Sequence, residues 1–326
     1  MYRTRIIGTG SHIPDEVLTN QDLESMVDTS DEWITSRSGI KERHICSNGE
    51  SCSTLSCEAA RKALKMAGIA PGEIDMIIVG TVTADMITPS VSCMLQHRLK
   101  AKKAFAFDVS AGCTGFIYGM CIADNFIRAG SCEKALVIGC DTLSKITDYQ
   151  DRTTCILFAD GAGAVVLSRE KGGSGILSTH LYSDGAYEKL LYMPGGGSAN
   201  PASAETVKNR EHYLRMDGNK VFKIAVKSLE DAAVAALEHN NLTGGDLDLL
   251  ISHQANSRII QAIAKRLGLP PEKVFMNIHK YGNTSAGSIP LALDEANRQS
   301  LLKTKDLILL DAFGAGFTWG SALIRW

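Results

Sequence analysis

The chain repeats one pattern of apolar strands and helices in its two halves. Residues 75–83 form an apolar run typical of a buried strand, and residues 156–167 have the pattern of a strand, a glycine turn and a second strand. Residues 248–256 and 308–324 repeat that order, with helical patterns between the members of each pair. Strands this apolar are buried on both faces, which requires helices on each side of their sheet. We therefore predict an α/β fold whose two related halves pack into one layered body, with chance similarity between glycine-rich strands as the alternative.

The helical patterns and the loop composition set the expected domain boundaries. One helix is expected over about 54–67, ending at Gly68, and its counterpart over about 219–240, where apolar residues occupy one broad face. Between the halves, residues 183–215 have little periodicity and include a glycine-rich stretch, which indicates a long surface loop. The predicted segments are a first half, a connecting excursion and a second half, at residues 1–172, 173–216 and 217–326.

Composition excludes several function classes. With 326 residues, of which 44% are hydrophobic and 21% charged, the chain can bury a substantial core. Its formal net charge of −2 gives no reason to expect a nucleic-acid partner. No apolar run approaches the roughly 18–20 residues of a membrane span, and the N-terminus has the pattern of a first strand rather than of a signal peptide. Nine cysteines without paired CxxC spacing are typical of a reducing compartment, so we expect a cytoplasmic protein with no membrane partner and no metal site.

One cysteine, Cys113, stands in a position that suits a nucleophile. Residues 104–109 are apolar and β-compatible, and the chain from Phe116 onward has the pattern of a buried helix, so Cys113 is expected where a strand gives way to a helix. Unpaired N–H groups and the helix dipole favour a thiolate there. Gly112 and Gly115 leave room for a substrate carbonyl and for backbone donors beside the sulfur. A structural, buried thiol is the alternative.

A histidine and an asparagine could complete a reactive group around this cysteine. His253 follows an apolar run at the end of a predicted strand, and Asn283 lies in a turn that opens the next helix. Chemistry is usually displayed at such element ends. Taken singly, the two residues could be a packing histidine and a turn former. In a two-fold repeat, however, equivalent strand ends converge, so Cys113, His253 and Asn283 are predicted to meet.

Four motifs, in order along the chain, resemble those of the β-ketoacyl-[acyl-carrier-protein] synthase III family, the initiating condensing enzymes of bacterial fatty acid synthesis. They are Ala-Gly-Cys-Thr-Gly-Phe at Cys113, His-Gln-Ala-Asn-x-Arg from His253, Tyr-Gly-Asn-Thr-Ser-Ala at Asn283, and the closing Phe-Gly-Ala-Gly-Phe-Thr-Trp-Gly-Ser-Ala. The resemblance extends from Gly8 to Trp326. It implies a thiolase-like fold with a layered α-β-α-β-α body, a homodimer, and a triad of the three residues just named. One histidine and one asparagine also resemble this branch rather than the elongating synthases, which use two histidines, or the thiolases, which use a second cysteine.

The resemblance implies a decarboxylative Claisen condensation. The Cys113 thiolate would attack the thioester carbonyl of an acyl-CoA primer, and backbone N–H groups of Cys113 and Ala315 would hold the oxyanion. Malonyl-acyl carrier protein would then lose carbon dioxide while His253 and Asn283 donate hydrogen bonds to the enolate oxygen. Acyl-CoA is a substrate in this scheme, and no metal or redox cofactor is expected.

The resemblance also implies where CoA binds. Residues 29–32 have the pattern of a capping box led by Thr29, which would place Trp33 and Arg37 on one helix face. Trp33 and Arg152 would sandwich the adenine, a contact that suits a planar cation. The implied CoA-binding residues are Thr29, Trp33, Arg37, Arg152, Gly218 and Asn256.

Carrier-protein docking is predicted on a basic ridge. Lys220, Lys223 and Lys227 recur at i, i+3 and i+7, and such a ridge could steer an acidic carrier protein. A solvated helix face is the alternative. The docking residues implied by the resemblance are Gln254, Ala255, Asn256, Ser257, Arg258 and Lys223.

Substrate range is predicted from one position. The resemblance implies that Thr88 stands where some relatives have phenylalanine at the end of the acyl pocket, at a position reached across the dimer. A smaller residue leaves a deeper pocket, so we expect primers longer than acetyl to be accepted.

Three other functions are compatible with parts of the sequence. A thiolase-fold condensing enzyme of secondary metabolism, with another primer or extender, would share every motif. A papain-like hydrolase also uses Cys, His and Asn, but its Cys-Gly-Ser-Cys-Trp-type signature is absent and the two-fold repeat does not suit it. A non-catalytic acyl-binding protein would not need the triad.

Overall fold

The structure is a computed structural model that describes residues 2–326. Its strands in chain order are β1 (Tyr2–His12), β2 (Glu16–Thr19), β3 (Glu42–Ile45), β4 (Met76–Gly80), β5 (Phe105–Val109), β6 (Lys134–Thr142), β7 (Asp160–Lys171), β8 (Gly175–Ser183), β9 (Leu191–Tyr192), β10 (Arg215–Met216), β11 (Leu249–Ser252), β12 (Leu307–Gly314) and β13 (Thr318–Arg325). Its α-helices are α1 (Asn20–Glu24), α2 (Asp31–Ser38), α3 (Cys52–Ala67), α4 (Val91–Leu99), α5 (Gly115–Arg128), α6 (Ala204–Lys208), α7 (Gly218–His239), α8 (Ser257–Leu267), α9 (Ile278–Tyr281) and α10 (Ser288–Arg298).

Two mixed sheets show the predicted repeat. The first has the order β1-β7-β6-β4-β5, and the second has the order β8-β13-β12-β11. The two sheets have the same pattern of strand directions. The pairs β4–β6 and β11–β12 are parallel. The pairs β6–β7 and β7–β1 in the first sheet, and β12–β13 and β13–β8 in the second, are antiparallel. A parallel bridge from Leu250 to Val274 takes the position at which β5 pairs with β4. The two halves of the chain therefore fold in the same way.

Alternation along the strands produces the five layers. Met76 and Ile78 of β4 face a core shared with α5 and α10, whereas Ile77 and Val79 face a separate core under α3 and α4. In the second sheet, β12 alternates in the same way between the shared core and a core under α7 and α8. Side chains of successive strand residues point to opposite faces, so one apolar strand supplies both cores. This is the predicted α-β-α-β-α arrangement, with α5 and α10 as the central layer.

The predicted strand–turn–strand at residues 156–167 is wrong. β7 runs without interruption from Asp160 to Lys171. Its glycines serve close packing rather than a turn, because a Cβ on Gly163 would lie 2.5 Å from the backbone nitrogen of Leu291 in α10. The counterpart of β12 is therefore β6 rather than the segment that precedes β7.

The connecting excursion is shorter than predicted. Residues 175–183, expected in the excursion, form β8, which pairs antiparallel with β13 and occupies the position that β1 has in the first sheet. Gly172 and Gly175 have φ of 144° and 127°, values that glycine alone adopts readily, and they lie in the connection from β7 to β8. The second half thus begins near residue 175. No helix among residues 2–326 is both long and apolar enough to cross a membrane.

Candidate active site

Cys113 lies in a 3₁₀ turn, Gly112–Thr114, between β5 and α5, which is the predicted strand-to-helix position. Gly112 has φ +54°, and a Cβ on it would lie 2.7 Å from the nitrogen of Ala315. A Cβ on Gly314 would lie 2.5 Å from the nitrogen of Cys113. Glycine at both positions therefore lets the cysteine turn pack directly against the turn that joins β12 to β13, so Ala315 lies beside Cys113.

His253 follows β11 and is almost completely buried, at 3% exposure. Its Nδ1 lies 2.6 Å from Oγ of Ser288, the first residue of α10. The backbone N–H of Gln254 reaches the same oxygen at 3.4 Å, so the hydroxyl accepts there and its own proton is available to Nδ1. When the hydroxyl donates to Nδ1, the ring proton lies on Nε2, and this is the tautomer that can donate into the site. Burial lowers the pKa of His253 to about 4, so the ring is neutral near pH 7.

Asn283 is held by its backbone on both sides. Its N–H donates to the carbonyl of Leu157 and its carbonyl accepts from the N–H of Ala159, each at 2.9 Å. Its Oδ1 accepts from the N–H of Ser285 at 2.9 Å. Because the amide oxygen is occupied, Nδ2 is the end of this side chain that can donate to a ligand.

Ser285 connects the asparagine to the cysteine, and the sequence reasoning missed it. Its Oγ lies 3.3 Å from the Sγ of Cys113, across 172 residues of sequence. Its φ is +52°, which is unusual for a residue other than glycine. The only sequence signal was its place two residues after Asn283. The turn at 285–287 and the start of α10 thus contact all three predicted triad residues.

Cys113 is not an activated thiolate in the free protein. Burial raises the pKa of its thiol to about 12, the hydrogen bond from Ser285 acts in the opposite direction, and the carboxylate of Asp141 raises it further. The expectation that the helix N-terminus would favour a thiolate is therefore corrected, because removal of the sulfur from water outweighs it. The thiol must lose its proton as it reacts.

The predicted adenine site forms a cluster around Trp33. The guanidinium carbon of Arg152 lies 5.0 Å from the Trp33 ring centroid, and that of Arg37 lies 5.5 Å from it. Arg152 also donates to the carbonyl of Asp28 at 2.7 Å. An adenine that stacks between the Trp33 ring and the Arg152 guanidinium requires about 7 Å between these two groups, because each van der Waals contact takes about 3.5 Å. The Arg152 side chain must therefore move outward by about 2 Å before an adenine can enter.

The N-cap of α2 differs from the prediction. Ser30 rather than Thr29 caps the helix, and its hydroxyl accepts from the N–H of Trp33 at 3.1 Å. The Thr29 hydroxyl is buried and has no hydrogen-bond partner among residues 2–326. Trp33 and Arg37 still share one helix face, because a shift of the cap leaves their spacing unchanged.

Comparison with known proteins decides the family. Two family models match, 3-oxoacyl-[acyl-carrier-protein (ACP)] synthase III at residues 107–185 and its C-terminal domain at residues 237–326. The β-ketoacyl-[acyl-carrier-protein] synthase III of Caldanaerobacter subterraneus subsp. tengcongensis is 54% identical over 321 residues, which is 98% of this chain and 97% of that one. The chain belongs to the β-ketoacyl-[acyl-carrier-protein] synthase III family. It is a condensing acyltransferase.

Solved structures agree with this family assignment. The crystal structure of 3-oxoacyl-[acyl-carrier-protein] synthase III from Aquifex aeolicus VF5 has a TM-score of 0.92 at 48% identity, covering 99% of this chain and all of that one. The priming β-ketosynthase of the R1128 polyketide biosynthetic pathway also has a TM-score of 0.92, at 34% identity, covering 99% of this chain and 96% of that one. Both of these proteins therefore share the fold of this chain. The identity is higher to the Aquifex aeolicus synthase (48%) than to the polyketide enzyme (34%), so the comparison does not favour the secondary-metabolism alternative.

One predicted docking residue of this synthase is buried. Gln254 is 1% exposed, and its side chain bonds the backbone on both sides of the site: Nε2 donates to Ser252 and Phe275 carbonyls, and Oε1 accepts from Asn277 and Ile278 N–H groups. It cannot contact a docked protein, so this assignment is corrected. Its side-chain amide instead satisfies buried backbone donors and acceptors, as buried polar groups generally do.

The other predicted docking residues lie on one surface. Ala255, Asn256 and Ser257 are partly exposed and Arg258 is exposed, with its guanidinium 5.1 Å from the Phe222 ring centroid. On α7, Lys220 and Lys227 pair with neighbouring aspartates at 2.9 Å. Among residues 2–326, Lys223 is the member of the predicted lysine ridge that has no ion pair, so the ridge is narrower than predicted.

Asn256 and Gly218 lie at the starts of helices. Asn256 is the N-cap of α8, where its Oδ1 accepts from the N–H of Arg258 and its Nδ2 donates to the carbonyl of Arg37, each at 2.9 Å. Its amide is therefore already engaged in joining α8 to α2. Gly218 begins α7 and is exposed. A Cβ there would meet only the Met216 methyl, at 3.5 Å, so the glycine leaves open space beside it.

Thr88 is exposed, on the loop between β4 and α4. Its neighbour Ile87 is 97% exposed and Met86 is 48% exposed. An apolar loop that projects from its own protomer is available to another molecule, which is compatible with the expectation that Thr88 acts across a dimer.

Proposed function

We propose that this chain condenses an acyl-CoA primer with malonyl-acyl carrier protein, the first condensation of type II fatty acid biosynthesis. The observation that carries the proposal is the convergence of Cys113, His253 and Asn283 on the turn at residues 283–288. The printed names of the relatives, at 54% and 48% identity over nearly the full chain, support the reaction class.

In the first step, the Cys113 sulfur attacks the thioester carbonyl of the primer. A carbon–sulfur bond forms to Cys113, the bond to the CoA sulfur breaks, and the thiol proton leaves with CoA. The proposed oxyanion donors are the backbone N–H groups of Cys113 and Ala315, and the tight packing of their two turns supports this pairing. Since the thiol is protonated at rest, proton loss and attack are coupled.

In the second step, the bound malonyl group loses carbon dioxide and its enolate carbon attacks the acyl-Cys113 carbonyl. His253 Nε2–H and Asn283 Nδ2–H are the proposed donors to the enolate oxygen. The neutral state of the ring supports this role, because a cationic imidazolium would protonate the carbanion more readily. As the carbon–carbon bond forms, the carbon–sulfur bond to Cys113 breaks, and the sulfur takes a proton from solvent to return to the resting thiol.

CoA and the carrier protein are proposed to approach from the same side. The Trp33 cluster would take the adenine once Arg152 moves, with Thr29 and Arg37 near the nucleotide and Asn256 and Gly218 along the pantetheine arm. Lys223 and Arg258, on neighbouring helix starts, are the proposed contacts for an acidic carrier protein, together with Ala255 to Ser257. The contact from Asn256 to the carbonyl of Arg37 supports a continuous surface between the two regions.

A homodimer is proposed through the free edge of β5. This strand ends the first sheet, and Phe105 at its start is 42% exposed, packed 5.6 Å from Phe126, which is 38% exposed. An unpaired edge with exposed aromatic residues is a template for a second copy. Sedimentation should give a dimer for the wild type and a monomer for Phe126→Glu. We also propose a cytoplasmic location, since all nine cysteines are free thiols.

The reaction is tested by acyl transfer to the protein. Intact-mass analysis and peptide mapping after incubation with acetyl-CoA should show one acyl adduct, confined to Cys113, that malonyl-acyl carrier protein discharges as a β-ketoacyl product. Cys113→Ala should show no adduct, and Cys93→Ala, which removes an exposed cysteine outside the site, should behave as the wild type. An adduct on another residue, or product formation by Cys113→Ala, would contradict the proposal.

Primer length is tested with a series from acetyl- to dodecanoyl-CoA. We propose that the small Thr88 side chain permits primers longer than acetyl. Thr88→Phe should shift the preference toward acetyl-CoA, and Thr304→Phe, the same substitution on an exposed turn before β12, should not. A wild type that strongly prefers acetyl-CoA would refute the hypothesis.

A further inference from the structure

The Cys113 sulfur has a polar contact that the mechanism above does not use. Ser285 Oγ lies 3.3 Å from Sγ, oriented as the donor. Among residues 2–326, it is the side chain that donates a hydrogen bond to this sulfur. A thiol that reacts while buried needs some group to replace the water it has lost, and a hydroxyl can do this without adding a charge.

The backbone at Ser285 indicates that its side chain is needed. Its φ of +52° lies in the left-handed region, where glycine would be the favoured residue. The neighbouring Gly282 and Gly112 have φ of +62° and +54° and are glycine as expected. A side chain in this conformation at the centre of a site is an outlier that points to a function.

The backbone N–H of Ser285 fixes its position. It donates to Asn283 Oδ1 at 2.9 Å, and the serine begins the turn that leads into α10. The hydroxyl is therefore held beside Sγ by a contact that does not involve the hydroxyl itself. Replacing the side chain leaves this backbone contact in place.

The acceptor that competes for the Ser285 hydroxyl is the carboxyl group of Asp141. Burial raises the pKa of Asp141, and a side-chain hydrogen bond from Ser285 acts in the opposite direction. Asp141 is fully buried on β6, close enough to Ser285 and Cys113 to affect the pKa of Cys113. Oδ1 of Asp141 accepts from Thr81 Oγ1, Val82 N and Thr83 Oγ1 at 2.8–3.1 Å, whereas Oδ2 accepts from the Ala286 N–H at 3.3 Å. The Ser285 hydroxyl therefore lies between two acceptors, the Asp141 carboxyl group and Cys113 Sγ. As negative charge develops on the sulfur, donation to Sγ offsets the repulsion between the carboxylate and the developing thiolate.

We propose that Ser285 is a positioning residue that makes Cys113 nucleophilic, its hydroxyl donating to the sulfur as negative charge develops there. This inference rests on the proposed role of Cys113 as the acyl acceptor. During attack, the sulfur loses its proton and gains the carbonyl carbon, and the Ser285 proton stays on its oxygen throughout. The same hydrogen bond serves again when the sulfur leaves after condensation.

Ser285→Gly tests this with little backbone disturbance, because glycine favours the observed φ. Ser300→Gly is the matched control, since Ser300 has φ +57° on an exposed turn after α10. The rate of iodoacetamide alkylation at Cys113 is measured against pH by peptide mapping, and the exposed Cys93 in the same digest is the internal reference. This readout needs no substrate, so it can fail independently of the proposed condensation.

Loss of a hydrogen bond to a charged group should disfavour the Cys113 thiolate and slow its alkylation by about ten- to a hundredfold at a given pH. Acylation by acetyl-CoA should slow by a similar factor at an unchanged melting temperature. Ser285→Ala keeps Cβ and removes only the hydroxyl, so it controls for any change that glycine makes to the turn. It should slow alkylation and acylation of Cys113 by a similar factor. An unchanged pH profile of Cys113 in both variants, or an equal change in Ser300→Gly, would overturn the proposal.

Discussion

Ser288→Ala should separate the two half-reactions of this enzyme. Ser288 Oγ lies 2.6 Å from His253 Nδ1, and a hydrogen bond donated from this hydroxyl to Nδ1 would keep the ring proton on Nε2. The alanine variant leaves Nδ1 buried without a partner, so the free energy of unfolding should fall by about 1–3 kcal/mol. It also permits the tautomer with the proton on Nδ1, in which Nε2 can no longer donate to the enolate.

The effect on rate follows from the value of one donor. Removing a donor to a developing oxyanion costs about 10²–10³ in rate, and part of the population keeps the Nε2–H form, so condensation should slow by about ten- to a hundredfold. Acylation of Cys113 should change by less than about threefold, because the proposed oxyanion donors of that step are backbone N–H groups. The two steps are measured separately, as acyl-enzyme formation by mass and as carbon dioxide release from malonyl-acyl carrier protein.

The matched control for this change is Ser321→Ala. Ser321 is fully buried on β13 and donates to the carbonyl of Ala232 in α7, so its loss also removes one buried hydrogen bond. It should lower the melting temperature without separating the two steps. The tautomer itself is read by ¹⁵N NMR of histidine-labelled protein, with His253→Ala to assign the signal. A proton on Nδ1 in the wild type, or a Ser288→Ala variant that slows acylation but not decarboxylation, would refute the reasoning.

Three further predictions concern binding, packing and pH. Trp33→Ala should raise the KM for acetyl-CoA by about fivefold at unchanged kcat, since a cation–π or stacking contact contributes about 1 kcal/mol, and a fall in kcat alone would contradict this role. Gly163→Ala should lower the free energy of unfolding by about 1–3 kcal/mol because its Cβ would meet the Leu291 backbone at 2.5 Å, while Gly72→Ala, with open space around it, should be neutral in the same thermal melts. Burial raises the pKa of Asp311 from 3.8 to about 7, so the folded protein favours the protonated carboxyl. The stability associated with this group is fully present below about pH 4 and is lost as the pH rises through about 7. The free energy of unfolding of Asp311→Asn, relative to that of the wild type, should therefore increase by ~4 kcal/mol from about pH 4 to about pH 7. Denaturation at several pH values measures this difference. A difference that stays constant with pH would show that the carboxyl does not titrate in this range.

His253 acts on stability in the opposite direction to Asp311. Its pKa is lowered from 6.5 to about 4, so the unfolded state binds a proton that the folded state does not as the pH falls through this range. The contribution of neutral His253 to the free energy of unfolding is fully present above about pH 6.5. It decreases by ~3 kcal/mol as the pH falls to about 4. The two residues are neighbours through the contact of the His253 N–H with the Asp311 carbonyl, so their variants should be compared singly and together.

Sequence alone determined the layered fold and the main reactive residues. Period-two apolar strands such as β4 must supply two cores, and glycine at the end of α3 must stop that helix, so both follow from local chemistry. Cys113, His253 and Asn283 were recognisable because each stands in a distinctive motif at the end of an element. The same local reasoning failed at 156–167, because a glycine in a strand indicates a turn or close packing equally well, and only the position of α10 decides between them.

Tertiary structure decided how those residues are tuned. The contact of Ser285 with Cys113 spans 172 residues, and that of Ser288 with His253 spans 35, so no local pattern could indicate either. Gln254 is a polar residue of a type common on surfaces, but its side chain is buried against backbone groups of its own segment and of residues 275–278. Burial, which sets the pKa of Cys113 and of His253, depends on how the two halves pack against each other. A sequence specifies which groups are present, whereas their protonation and orientation depend on neighbours that only the folded chain brings into contact.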